Sequence, residues 1–257
     1  MAKVPIALEL YSVREDLTRD PRGTLKAVAE MGYDGAEFAG FPLPAAELRA
    51  VLDDVGLPCC SSHTPLDHLI GDRLQETIEF NQVLGNKNLI CPWIGGDYAG
   101  SRAGWLRAAE LFNGIADKLA PHGMVTGYHN HHTEFTPVDG ETPWDTFFGN
   151  TKKEVVMQLD LGNALMGGAD LLGILGRFPG RGRSIHLKPY SKKAGAGNPE
   201  AGFRPLIGDD DVPWAEVFRL CEETQGTRCY IVEYESDAFA PLDAVDRCLK
   251  ALRAMGK

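Results

Sequence analysis

Residues 127–135 read Gly-Tyr-His-Asn-His-His-Thr-Glu-Phe, so three of the chain's seven histidines fall within four positions, with a glutamate two residues later. Imidazoles titrate near neutral pH and also ligate metals, which suits such a stretch to proton transfer or to cation binding. Other polar residues recur near the ends of short apolar runs: His63 in "PCCSSH", Asp160 in "VVMQLDLG" with Asn163 just beyond, and Glu37 in "GAEFAG". His186 and Lys188 lie in "SIHLKPY", and Glu233 and Glu235 in "CYIVEYE". At the end of one buried run, an acid or imidazole is most simply a cap or a satisfied core group. Repeated in run after run, it requires an architecture that gathers the run ends into one place.

The spacing of the runs supplies that architecture. Strands are predicted over 5–11, 35–40, 58–63, 88–94, 124–131, 155–162, 184–190 and 229–235. Amphipathic segments separate them, over 22–32, 45–56, 72–85 and 104–123 among others, and Gly32, Gly56, Gly85 and Gly123 close these four as helix C-caps. Leu25, Val28, Ala29 and Met31 give the first its apolar face. Eight β/α alternations in 257 residues predict an α/β fold, a (β/α)₈ TIM barrel that spans 1–257 as one domain. Neither a GxGxxG turn nor a GxxxxGK[ST] loop is present, which disfavours open nucleotide-binding sheets. The longest non-periodic stretch, 188–211, follows the seventh run, where it would form a lid over the C-terminal face of a barrel.

Composition narrows the partners. With 26 Lys and Arg against 36 Asp and Glu the net charge is −10, which argues against nucleic acid. No apolar run approaches the length of a membrane span, and "MAKVPIALELYS" has no signal-peptide core. The six cysteines form no CxxC and read as buried free thiols in a reducing compartment, so a cytoplasmic location is expected. A homo-oligomer is compatible with the sequence.

In a barrel the C-terminal strand ends line the active site. Carboxylates crowded into one mouth would repel one another, and a divalent cation removes that difficulty. Carboxylates with imidazole suit Mn²⁺, Mg²⁺, Co²⁺ or Zn²⁺, and an open site fits Lewis-acid catalysis. His129 and His131 alternate with Asn130, so both are expected to face the interior and handle protons, with His132 in solvent. His63, Lys188 and Trp93 are the expected substrate contacts, and Tyr11 is a further aromatic candidate for stacking on a sugar ring. His122 caps a helix end.

"ELYSVRED", "MGYDGAEFAG", "GYHNHHTEF", "LDLGNALMGG", "SIHLKPY", "DDDVPWAEVF" and "YIVEYE" occur in an order and spacing that cover nearly the whole chain. Through them the chain resembles the sugar phosphate isomerase/epimerase family, the xylose isomerase-like TIM barrels that include keto-inositol dehydratases and endonuclease IV. The resemblance implies one divalent ion, Mn²⁺ first, held by a Glu, an Asp, a His and a second Glu. Asp160, His186 and Glu233 match the last three. Where many members carry a strand-5 glutamate this chain has His129, so Glu134 is the expected fourth ligand and His129 the alternative. "LIGDDDVPW" departs from the family's usual glycine-and-acid turn before the seventh helix, which leaves the lid's substrate contacts open. The implied activity is sugar isomerisation or epimerisation of a ketose or related keto-sugar, by proton transfer next to a metal-bound carbonyl. Glu233, His131 and His129 are then the catalytic candidates, and a small sugar or polyol is the implied partner. The alternatives are a metal-dependent lyase or dehydratase acting on a keto-inositol or 3-keto-glycoside, a non-enzymatic sugar-binding barrel, and a metal-free glycosidase using Glu134 and Glu233. An endonuclease IV-like three-zinc site would need more histidines.

Overall fold

A computed structural model describes residues 3–257. Eight parallel strands close into a barrel in chain order: β1 Ile6–Glu9, β2 Gly35–Ala39, β3 Cys59–His63, β4 Asn88–Cys91, β5 Val125–His129, β6 Val156–Asp160, β7 Ser184–Leu187 and β8 Cys229–Val232. The single-domain (β/α)₈ barrel expected from the alternation is therefore the fold. Parallel strands need crossover connections, and the helices that provide them cover the outside of the barrel. The strand side chains facing these helices are apolar and fully buried, among them Leu8, Phe38, Leu89, Tyr128, Leu159 and Val232.

The expected helices are present with small shifts, at Pro21–Met31, Ala45–Val55, Arg73–Leu84 and Arg102–Leu119, the last followed by a 3₁₀ turn at Ala120–His122. Gly32, Gly56, Gly85 and Gly123 adopt the left-handed conformation expected of C-caps. Several strands stop short of their predicted ends, because barrel pairing ends where the chain turns outward. After β1, Leu10–Val13 form a 3₁₀ turn, and after β6 the residues Leu161–Met166 form a short helix. Asp160 caps that helix by accepting a 2.6 Å bond from the Asn163 amide. Lys188, Glu233 and Glu235 consequently lie just beyond their strands, at the rim.

The segment 188–211 leaves β7, makes a 3₁₀ turn at Pro199–Phe203 and lines one side of the mouth through Asn198, Glu200, Ala201, Phe203 and Arg204. Asp210 pins the turn that follows, accepting from the Gly208 and Val212 amides and from Trp214 Nε1. All six cysteines are free thiols. No helix among the described residues is long and apolar enough to cross a membrane.

Buried Arg181, ahead of β7, latches the connection into β6. Its guanidinium donates to the carbonyls of Phe148, Lys152 and Val155 at 2.6, 2.7 and 2.9 Å and to Thr151 Oγ1 at 2.7 Å. Arg181→Met strands these buried acceptors and is expected to cost about 3 kcal/mol in urea unfolding. An unchanged midpoint would show that the latch carries no stability.

Candidate metal centre and barrel mouth

The lumen of a TIM barrel is ordinarily filled by branched apolar side chains. Here its upper half is polar. Glu9, Glu37, Gln158, Asp160 and His186 are fully buried, and His129 and Glu233 nearly so. Alternation along each strand sends Tyr128 outward against Trp105, Phe112 and Phe147, and turns its neighbour His129 inward.

His186 is the hub. Its Nδ1 meets Glu233 Oε2 at 2.7 Å and its Nε2 meets Glu37 Oε1 at 2.5 Å. Burial alone would lower its pKa, but Glu37 and Glu233 raise it well above the usual imidazole value. Below His186, Gln158 donates to Glu37 Oε2 at 2.8 Å and to Ser184 Oγ at 3.2 Å, and its Oε1 meets His63 Nε2 at 2.9 Å. Glu9 lies beside Glu37, and burial together with that neighbour pushes its pKa well up, so Glu9 holds a proton. Toward the mouth, Lys188 Nζ donates to Glu233 Oε1 at 3.1 Å and to Glu235 Oε1 at 2.9 Å. Burial disfavours the Lys188 cation, yet Glu233 and Asp160 raise its pKa above the ordinary value. Glu235 is pushed up to about 7, first by burial and then by Glu233.

His129, Asp160, His186 and Glu233 each bring a ligand-capable atom within 4.8 Å of the others. Asp160 Oδ2 and His129 Nδ1 are buried and without a hydrogen-bond partner among the described residues. An uncompensated buried carboxylate oxygen is costly, and burial raises Asp160 to about 7. Two orphaned acceptors converging with a carboxylate and a second imidazole fit a divalent cation in type and geometry.

Glu134 is not in this group. Its carboxylate accepts from Tyr128 Oη at 2.8 Å, from the His131 amide at 2.9 Å and from Thr133 Oγ1 at 3.1 Å. The 3₁₀ turn Thr133–Phe135 folds it back onto the outward face of β5, the face opposite to His129. The structure thus places Glu134, the expected fourth ligand, apart from Asp160, His186 and Glu233, and among the described residues His129, the alternative, lies beside those three. Both histidines line the cavity, their rings 5.5 Å apart, though at different depths. His129 is buried in the lumen, while His131 stands at the rim of the cavity, because the strand ends between them. Asn130 neither points outward nor meets solvent. Its amide spans β5 and β6, accepting from the Asp160 amide at 2.8 Å and donating to the Asp160 carbonyl at 3.1 Å.

Of the expected substrate contacts, His63 and Lys188 line the cavity above this centre, as does Tyr11, and the cavity measures about 1160 Å³. Trp93 is half exposed and packs edge-on against the His131 ring at 5.7 Å, and does not itself line the cavity. His132 is exposed. The sequence reading passed over Glu9 and Gln158. Their signal was available, as single polar residues inside otherwise apolar strand runs, "IALE" and "VMQLD".

A barrel whose strand ends carry this constellation points to one class, and the comparisons agree. Residues 25–255 match the model of the xylose isomerase-like TIM barrel family, and the chain belongs to that family. An inosose dehydratase of Klebsiella pneumoniae is 25% identical over 247 residues, covering 82% of each chain. A sugar phosphate isomerase/epimerase from Parabacteroides distasonis superposes with a TM-score of 0.82 at 23% identity, covering 98% of both chains. L-ribulose 3-epimerase superposes with a TM-score of 0.71 at 15% identity, covering 99% of this chain and 94% of its own.

Because Glu134 satisfies three donors, Glu134→Ala leaves Tyr128 Oη and the His131 amide without their acceptor. A loss of about 1–3 kcal/mol in chemical denaturation is expected. A neutral effect would mean that these contacts do not hold the turn after β5.

Proposed function

We propose that this barrel is a divalent-metal-dependent enzyme that moves a proton at the carbon next to the carbonyl of a keto-sugar or polyol, as an isomerase or epimerase. The observation that carries the reading is the convergence of His129, Asp160, His186 and Glu233, with two acceptors orphaned, at the floor of the cavity. His129, Asp160, His186 and Glu233 would hold the ion, with Mn²⁺ the first candidate. A cation at that point polarises a carbonyl and a neighbouring hydroxyl and so acidifies the adjacent C–H.

The chain's own residues supply the rest. Glu37 lies 2.5 Å from Nε2 of His186, where it would hold the Nε2–H once a bound cation displaces the proton from Nδ1. His131 stands at the cavity wall with Nδ1 unpartnered, and burial lowers its pKa, so it is neutral and able to accept a proton. Trp93 holds the His131 ring edge-on. Lys188, fixed between Glu233 and Glu235, presents its ammonium group to substrate oxygens. His63 offers a second imidazole at the cavity wall. Return of the proton to the other face of the same carbon gives epimerisation, and return to the neighbouring carbon gives isomerisation.

Loss of water from the same intermediate is the second reading. It is favoured by the likeness to inosose dehydratase and by Glu235, whose pKa near 7 makes it an acid able to protonate a departing hydroxyl. Incubation of Mn²⁺-loaded protein in D₂O with D-fructose, D-tagatose and scyllo-inosose separates the two. Exchange of the α-proton without loss of water is the expected result. Formation of an enone from the inosose assigns the dehydratase. Neither event with any keto-substrate contradicts both readings.

Metal analysis is expected to find about one divalent ion per chain, lost in Asp160→Ala and His186→Ala and retained in Glu134→Ala. Uptake should also weaken as pH falls through about 7, since Asp160 is protonated below its raised pKa and must release that proton to bind. Full occupancy in both ligand variants, or affinity that does not change with pH, would exclude the site.

A further inference from the structure

The cavity above the candidate metal centre has two unlike halves. Its floor carries His63, His129, His131, Lys188 and Glu233. Its far half extends sideways between the connection after β2 and the helix Arg73–Leu84, and its surface there is largely apolar. Phe41 follows β2 and Phe80 lies on that helix, both half-buried, with ring centroids 4.5 Å apart at 31°. Phe41 is backed in turn by buried Phe38 at 5.4 Å. Ala39 and Pro65 continue the surface. Two of the polar side chains of this half, Thr77 and Asn81, are engaged with the protein itself. Thr77 donates to the His68 carbonyl at 2.8 Å, and Asn81 donates to the Thr77 carbonyl while accepting from Asn86, both at 2.8 Å. His68 and Glu76 remain at the edge of this half, where Glu76 disfavours a phosphate, and between them and the floor a flat apolar group would find an aromatic platform.

Charge gives the same answer. Barrels that bind phosphate usually do so with backbone amides and cations in the loops after β7 and β8. In this chain those loops bring Glu200, Glu235 and Asp237 to the cavity, and Glu76 faces it from the opposite side. The cavity-lining cations are Lys188, already bound to two carboxylates, and the exposed Arg204. A divalent ion at the floor is balanced by Asp160 and Glu233. A phosphate dianion entering this mouth would meet an excess of negative charge. The volume, about 1160 Å³, also lies above the 300–1,000 Å³ typical of pockets for drug-sized ligands.

Resting on the keto-sugar reading above, we infer that the substrate is an unphosphorylated keto-glycoside with an apolar, aromatic aglycone, its sugar at the metal-proximal floor and its aglycone against Phe41 and Phe80. The platform lies beyond the centre that would act on the sugar, so it sets specificity and does not touch the reacting carbon.

Calorimetric titration of the Mn²⁺-loaded protein with phenyl β-D-glucoside, methyl β-D-glucoside, glucose and glucose 6-phosphate tests this directly. The phenyl glycoside is expected to bind about tenfold tighter than the methyl one. That advantage should vanish in Phe80→Ala and persist in Phe80→Tyr, which keeps the ring and guards against a folding artefact. Glucose 6-phosphate should bind more weakly than glucose. Equal affinities for the two glycosides, undetectable binding of the phenyl glycoside, or a preference for the sugar phosphate overturns the inference. The affinities are read without turnover, so a failed deuterium exchange leaves them meaningful. Exchange on free ketoses without an aryl preference removes this inference alone.

Discussion

The structure depends on the burial of a carboxylate–imidazole chain through the middle of a barrel. Glu37, His186, Glu233 and Lys188 follow one another at hydrogen-bond distance, all nearly or fully withdrawn from water. Isolated charges at such depth would be prohibitive, and each here survives because its neighbour carries the opposite sign or shares a proton. The barrel accommodates the chain because each layer of the lumen takes one side chain from alternate strands, and polar residues on or just beyond β2, β6, β7 and β8 meet across it. Outward alternation on the same strands keeps the apolar mantle intact, so the polar interior does not erode the core that holds the helices.

That network also decides where chemistry can occur. In its lower part Glu37, Gln158 and Ser184 are joined by internal bonds, while Glu9 Oε2 beside them has no partner among the described residues. Its upper part leaves Asp160 Oδ2 and His129 Nδ1 unsatisfied at the level where the strands end and the cavity begins. What separates the upper level is that its unsatisfied atoms lie on or beside His129 and Glu233, which open onto the cavity, whereas Glu9 does not line it.

Much of this was legible in the chain. Eight apolar runs alternating with amphipathic segments defined the barrel, and polar residues at the run ends marked Asp160, His186 and Glu233. The case of Glu134 was not legible, and the reason is geometric. Sequence proximity to a strand end says nothing about which face a following turn returns to, and the 3₁₀ turn after β5 returns Glu134 to the Tyr128 face. The alternation argument misplaced Asn130 for a related reason, since alternation holds only while the strand continues and β5 ends at His129. Glu9 and Gln158 escaped because single polar residues in apolar runs read as noise until their partners across the lumen are known. Trp93 had the right residue type for sugar stacking but packs against His131 and does not itself line the cavity.

The central claim is that His129, and not Glu134, completes the centre with Asp160, His186 and Glu233. X-ray absorption spectroscopy of the Co²⁺-loaded protein tests it most directly, because imidazole rings leave a multiple-scattering signature that carboxylates do not. The account requires two imidazoles in the coordination shell, falling to one in His129→Ala. A shell with a single imidazole in the unaltered protein, unaffected by that substitution, would contradict it.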